Sequence, residues 1–459
     1  MKYLLLLLAA LLVVPSAFAQ TSSNWTFDGD VGSAEMPTPS IHGLAVDPAG
    51  RLWYQSYYAQ TRDSVAVDPA VVANSSGCSK TTNNCRVTAI HVLNTDGSEA
   101  SFSPLSIVTL PGGEKDTLGG GVILNSTGQR VWDYNSGRGL ATGPDGDVYA
   151  AVGSATVIYR FDYETGAVVD YVRPSNIESH GSAAPAVDED GYVYFTGIFP
   201  GDPIQRYSPS LEFVENVDDA DIGYTRGTGV LPDGFTVLDF KYSERATTIF
   251  QRTDEFEPYD SVGVAFKGMA VESWAMDPST GYIWVSAGSP NDKPSAPWQQ
   301  HTWYAFDVDD ALTNEIPTPL DSIRWENPGD GRPRAIAFAP DGNTVYVGEF
   351  SLGSPALQRF VRTSVGTERP MIEGVELGQN RPNPFSGSTE ISFSLSEAAS
   401  VRLTVYDAVG RVVSVLTEGP KSAGTHTERF DAASLAAGVY SYVLEIDGQR
   451  ATRRMLVVR

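Results

Sequence analysis

The stretch IHGLAVDPAGRLWY, Ile41–Tyr54, decides the fold because the chain repeats it. GLATGPDGDVYAAV follows at Gly139–Val152, APAVDEDGYVYFTG at Ala184–Gly197 and GTGVLPDGFTVLDF at Gly227–Phe240. SWAMDPSTGYIWVS lies at Ser273–Ser286 and AIAFAPDGNTVYVG at Ala335–Gly348. Each copy has small or apolar residues, then Asp or Pro, then Gly, then an alternating apolar run with an aromatic. The physical unit is a β-hairpin. Pro presets φ, Gly or Asp-Gly supplies the turn, and the period-2 flanks are half-buried strands.

The turn glycines are Gly50, Gly146, Gly191, Gly234, Gly281 and Gly342, at spacings of 96, 45, 43, 47 and 61. A period in the mid-forties with about four short strands per unit predicts an all-β chain built on a β-propeller of six blades, or seven. Blade 2 reads strand by strand as Gly139–Thr142, Asp147–Val152, Val157–Asp162 and Ala167–Val172. The long first interval is expected to hold an insertion on blade 1. It includes Gly121–Tyr134, itself hairpin-like and the source of the seven-blade alternative. Blade 6 lacks an outer strand, which Asn24–Phe27 can supply, removing exposed sheet edges. Over about residues 24–365 the chain resembles NHL-type and YVTN-type propeller repeats. It is more distantly similar to streptogramin lyase and gluconolactonase-like propellers. That resemblance implies the fold and leaves function open, since such propellers host enzymes and binders alike.

Residues 1–19 read as a signal peptide: Lys2, the apolar run Leu4–Val14, then Ser16-Ala17-Phe18-Ala19 before Gln20. The propeller is expected over 20–365, with no transmembrane segment. The chain of 459 residues carries a net charge of −24. Residues 378–459 are nearly balanced, with nine Lys/Arg and eight Asp/Glu, so the acidity lies in the preceding part. Such a surface argues against nucleic acid or an anionic membrane as partner. The only two cysteines, Cys78 and Cys85, flank a polar loop, and export permits a disulfide between them. A monomer is expected.

After a polar linker at 366–376 the texture changes. Residues 377–459 begin LGQNRPNPF and continue with ISFSL, VRLTVYDAVGRVV, GTHTERFDAASLAAGVYSYVLE and RRMLVVR, a small Ig-like β-sandwich of six or seven strands. The start around Asn383, Pro384 and Phe385, the block ending Gly410-Arg411, the Gly438–Tyr440 block and the basic end with Arg453 and Arg454 carry a resemblance. They closely resemble the type A C-terminal sorting domain of the type IX secretion system of the Bacteroidetes group. The resemblance implies two partners, the outer-membrane translocon and its C-terminal signal peptidase. It also implies release of the protein or its attachment at the cell surface.

Motifs for common catalysis are missing: no H-E-x-x-H, C-x-x-C, G-x-S-x-G or phosphate-binding glycine loop. No cofactor or metal is expected. Asp218–Asp221 and Asp307–Asp310 offer carboxylates to Ca²⁺ but lack its loop pattern and read better as solvated turns. Trp298 and Trp303 sit in or beside a Pro-rich loop. As exposed aromatics they suit carbohydrate or protein contact, and as buried ones they anchor the loop.

One constellation remains. The residue just before each innermost strand is His42, Arg138, Ala183, Arg226, Glu272 and Arg334 in blades 1 to 6. In a propeller these six ring one opening. Arginine presents a planar fork to carboxylate, sulfate or phosphate. One expectation is therefore a binder that holds the anionic group of a small molecule, glycan or protein partner through Arg138, Arg226, Arg334 and His42. Alternatively, His42 or His180 with Glu272 serves a hydrolase or lyase resembling streptogramin lyase or a lactonase. A third reading has these arginines tie neighbouring blades together.

Overall fold

The computed structural model describes residues 23–32, 40–57, 63–134, 137–152, 157–174, 183–218, 223–232, 234–242, 244–351, 355–363, 375–378, 380, 385, 387–406, 412–432, 435, 438–446 and 449–457. The proposed leader, most of the linker, His180, Asn383, Pro384, Gly410 and Arg411 lie outside these residues. The chain forms two compact units, Met1–Thr363 and Ser364–Arg459.

Both units are all-β. The first carries six antiparallel sheets in chain order, each opening on one copy of the repeat. Sheet 1 has Ile41–Val46, Leu52–Ser56 and Ile90–Leu93. Sheet 2 has Gly137–Thr142, Val148–Val152, Val157–Phe161 and Val168–Val172, within two residues of the sequence reading. Sheet 3 has Ala186–Val187, Val193–Phe195, Gln205–Tyr207 and Phe213–Asn216. Sheet 4 has Thr225–Val230, Thr236–Lys241, Ala246–Gln251 and Asp260–Ala265. Sheet 5 has Trp274–Met276, Ile283–Ala287, Thr302–Phe306 and Asp321–Arg324. Sheet 6 has Pro333–Phe338, Thr344–Glu349 and Leu357–Arg362. Its outer strand is Trp25–Asp30, brought from the other end of the unit and paired antiparallel with Leu357–Arg362.

The period-2 pattern buries both faces of every sheet, and each face meets a neighbour. In the second strand of sheet 2, Val148, Ala150 and Val152 pack toward Trp53 and Ile90 of sheet 1. The alternate Tyr149 and Ala151 pack toward Val193, Phe195 and Tyr207 of sheet 3. Further clusters join sheets 3 and 4, 4 and 5, and 5 and 6. A sixth joins Ala335, Ala337 and Leu357 of sheet 6 to Ile41, Leu44 and Tyr54 of sheet 1. Large aromatics fill these seams, with Trp53, Trp284 and Trp303 almost wholly buried. Each contributes on the order of 2–3 kcal/mol by burial.

The repeated aspartates fix the hairpins. Asp47 accepts from Ala49 N and Arg51 N of its own turn, from Arg51 Nε and from Trp53 Nε1. Asp188 and Asp277 do the same for their turns. The first strands approach closely because glycine permits it. A Cβ on Gly139 would stand 2.3 Å from that of Ala184 in the next sheet.

The long first interval is an excursion between and after the strands of sheet 1. Cys78 and Cys85 form a disulfide inside a small sheet of Ser64–Ala66, Cys78–Ser79 and Asn84–Arg86. The hairpin Gly120–Leu124 with Arg130–Tyr134 stands as its own two-stranded sheet. It packs on this excursion through Trp132, whose Nε1 donates to Arg86 O.

In the second unit one sheet holds Val375–Leu377, Ser388–Leu395 and Gly424–Asp431. The other orders Val412–Lys421, Ala399–Tyr406, Gly438–Ile446 and Gln449–Val457. The two share one apolar core.

Candidate functional site

The six first strands surround a single cavity of about 360 Å³, lined from sheet 1 through sheet 6 and including His42 and Glu272. Its strand-start end is where the singled-out residues gather. Arg138, Arg226 and Arg334 immediately precede Gly139, Gly227 and Ala335, which line the cavity. Glu272 is almost fully buried and is the shared counter-ion of Arg226 and Arg334. Arg334 Nη1 forms an ion pair with Glu272 Oε1, and Arg226 Nε lies 3.5 Å from Glu272 Oε2. Among the described residues, the buried Nε atoms of Arg138 and Arg334 have no hydrogen-bond partner, nor does Ser273 Oγ beside Glu272.

Aromatic rings hold the guanidiniums in place. Arg138 lies over Tyr57 at 4.8 Å, Arg226 over Tyr242 at 4.5 Å and Arg334 over Phe350 at 5.6 Å. Each ring follows the second strand of its own sheet, so strand start and strand end meet at the same edge. Ring stacking leaves the N–H edges of a guanidinium available. His42 packs between Tyr57 and Phe350, with ring centres at 4.8 and 5.9 Å. Burial, and then the positive charges of Arg334, Arg138 and Arg226, hold its imidazole well below the usual histidine value. It is therefore neutral at pH 7. Burial also pushes Arg138 and Arg334 down from the ordinary guanidinium value, with Arg226 adding like-charge repulsion to both. Arginine stays charged regardless. Three guanidiniums thus face one carboxylate, a local excess of positive charge in an acidic protein.

The arrangement differs from a catalytic dyad. Glu272 is turned to the arginines, and no hydrogen bond joins it to His42. Ala183, the sheet 3 member of the set, is buried and its N–H donates to Thr196 O. Among the described residues, His91 and His301 are engaged elsewhere. His91 is buried between Asp63 and Glu99, and His301 Nδ1 lies 2.7 Å from Glu349 Oε1. Of the two readings of Trp298 and Trp303, the structure shows the buried one. Trp298 packs on Tyr304 and Phe306, and Trp303 on Trp325, so they anchor the loop.

No helix among the described residues is long and apolar enough to cross a membrane. Among the described residues no group of three or more His, Cys, Asp or Glu side chains is placed to hold a metal. Asp307 caps the helix Val308–Thr313, accepting from Asp309 N and Asp310 N. Asp218 accepts from Ile204 N, and Asp219–Asp221 lie outside the described residues.

The sequence reading missed Tyr57, Tyr242 and Phe350. Their signal was present, since an aromatic follows the second strand in repeats 1, 4 and 6, where repeats 3 and 5 carry Thr196 and Gly288.

In the second unit, Phe385 is buried against Phe430 and bridges to Val457. Tyr440 is buried in the core, Gly438 opens its strand, and Arg454 pairs across to Ser441. Arg453 is exposed, its Nε donating to Leu377 O. Asn380, at the head of the same motif, is buried. Its N–H donates to the Tyr442 hydroxyl and its Nδ2 to Thr389 Oγ1.

Residues 381–458 match the family described as the secretion system C-terminal sorting domain. The second unit is thus a type IX sorting domain, and the protein is exported to the cell surface or secreted. No curated protein matches the chain. One similar solved structure is PorZ, an essential bacterial surface component of the type-IX secretion system of Porphyromonas gingivalis. It is 12% identical, with 95% of this chain and 61% of that chain covered and a TM-score of 0.41. This chain therefore spans about three fifths of the PorZ chain. Another is Kuenenia stuttgartiensis hydrazine synthase, 13% identical, covering 74% of this chain and 99% of that one, with a TM-score of 0.42.

Proposed function

We propose that the first unit is a closed six-bladed propeller, delivered outside the cell by the type IX translocon and its C-terminal signal peptidase. Its basic channel mouth then binds an anionic group on a small molecule, glycan or protein partner. The observation that carries this reading is that Arg226 and Arg334 share one counter-ion while Arg138 beside them has none among the described residues, with buried guanidinium nitrogens left over. A buried donor without an acceptor costs about 1–3 kcal/mol, and an anionic ligand recovers that cost. A role confined to tying blades together would favour one acid per arginine.

The test is calorimetric titration of the full chain with sulfate, phosphate and acetate, alongside Arg226→Ala. The expected result is binding that Arg226→Ala weakens at least about tenfold, a loss of about 1.4 kcal/mol. Equal binding by both proteins would sink the reading.

A further inference from the structure

The arginines define where a negative charge sits, and the cavity behind them defines what carries it. Resting on the anion-binding reading above, we infer that the ligand is an amphipathic carboxylate, with its head among the arginines and its apolar tail in the channel. The bore is lined mainly by small and apolar residues. Ala45, Ala141, Ala186, Ala275 and Ala337 occupy the same place in five first strands, five or six residues before the turn glycine. They leave a space of about 360 Å³, within the range of pockets that enclose small molecules. The polar groups that meet this space at the strand-start end are few. They are the Glu272 carboxylate, the neutral His42 ring and the Ser273 hydroxyl, which has no partner among the described residues.

Arg334 marks the head end of the space. Its side chain is only 6% exposed and its Nε is unsatisfied, while its guanidinium meets Glu272 at the cavity wall. A carboxylate placed there lies beside the two guanidiniums that share Glu272 and beside Ser273, whose buried hydroxyl has no partner among the described residues. A fully hydrated inorganic anion would use the head site and leave the bore unused. A neutral alkyl chain would use the bore and leave the guanidiniums unsatisfied. Only a group with both parts uses the whole site.

The experiment is calorimetric titration of the full chain with acetate, butyrate, hexanoate and octanoate, with 1-octanol as the uncharged control. Affinity should climb with chain length, reaching about 100-fold from acetate to octanoate, a discounted share of the full burial of each methylene. Octanol should bind at least tenfold more weakly than octanoate. Ala141→Leu, which narrows the bore, should weaken octanoate tenfold and leave acetate unchanged, and Arg226→Gln should weaken both. Affinity independent of chain length would overturn the tail assignment while leaving the anion site standing. Octanol matching octanoate would overturn the head assignment. No binding of any carboxylate, together with no binding of sulfate, would overturn both readings. If Ala141→Leu fails to fold, the chain-length series on the unaltered protein decides.

Discussion

The two ends of the six sheets use the same residue types to opposite effect. At the turn end, acids and arginines are matched. Asp47 takes four donors, Arg160 bonds Asp147 at 2.8 Å and Pro209 O of the next sheet, and Arg362 reaches Asp277 across a seam at 2.7 Å. At the strand-start end, Arg226 and Arg334 share Glu272, Arg138 has no carboxylate within ion-pair distance among the described residues, and donors stay in reserve. On the anion-binding proposal, the saturated end lends cohesion and the unsaturated end holds donors for a ligand. A buried charge left short of partners lowers stability, which is the cost the proposed ligand would offset.

Asp47→Ala should strike hardest at this contrast. It strands Trp53 Nε1 and Arg51 together and should lower unfolding free energy by about 3 kcal/mol in urea titrations. A loss under 1 kcal/mol would mean the turn end is not the cohesive one.

Arg138→Met probes the other end. It removes a buried charge that has no carboxylate of its own and keeps the stacking volume over Tyr57. Stability should hold or rise slightly, while sulfate affinity drops at least about tenfold, or 1.4 kcal/mol. A large fall in melting temperature with intact binding would reverse the roles of the two ends.

His42 adds a pH signature to the mouth alone. Its folded value lies below 6.5, so as pH falls beneath 6.5 the unfolded chain takes up the proton first. Stability is then lost on acidification until pH passes the folded value, and is fully present above 6.5. His42→Gln should remove that loss. The stability gap between it and the unaltered protein, measured from pH 7.5 downward, should open in the variant's favour below pH 6.5 and stay constant above it. A gap that does not change with pH would show that His42 titrates alike in both states.

Asp145→Ala should do least. Asp145 is 45% exposed; it supplements the Arg160–Asp147 bond and accepts from Asp147 N at 3.2 Å, so about 0.5 kcal/mol is expected in the same urea assay. A cost near that of Asp47→Ala would place cohesion in the surface pairs and not in the buried ones.

Much of this was legible in the chain because hairpin chemistry is local. Pro, Asp and Gly mark the turns, and the strands of sheet 2 follow within two residues. The register of the repeat also places Arg138, Arg226, Glu272 and Arg334 at equivalent positions, and the cavity walls follow from the same register. Pairings that join distant segments were less visible. Nothing local ties Tyr57 to Arg138, since the ring follows the second strand of sheet 1 and the arginine lies at the start of sheet 2. The burial of Trp298 and Trp303 was open for the same reason: a Pro-rich loop reads as surface until a partner such as Trp325 is known. The excursion after Ser56 obeys its disulfide and Trp132 more than the repeat, so periodicity said little about it.

The pairing of Trp25–Asp30 with Leu357–Arg362 has a temporal consequence. More than 300 residues separate the two strands, so the last seam cannot seal while any intervening stretch is still being made or threaded. Five sheets can pair from neighbours in sequence, but the sixth waits for the whole unit. Until then both strands expose unpaired backbone, the feature by which incomplete β-structures are caught by chaperones or by one another. A chain emerging from either end therefore remains open to holding factors until the unit is complete, and completion comes as one late event.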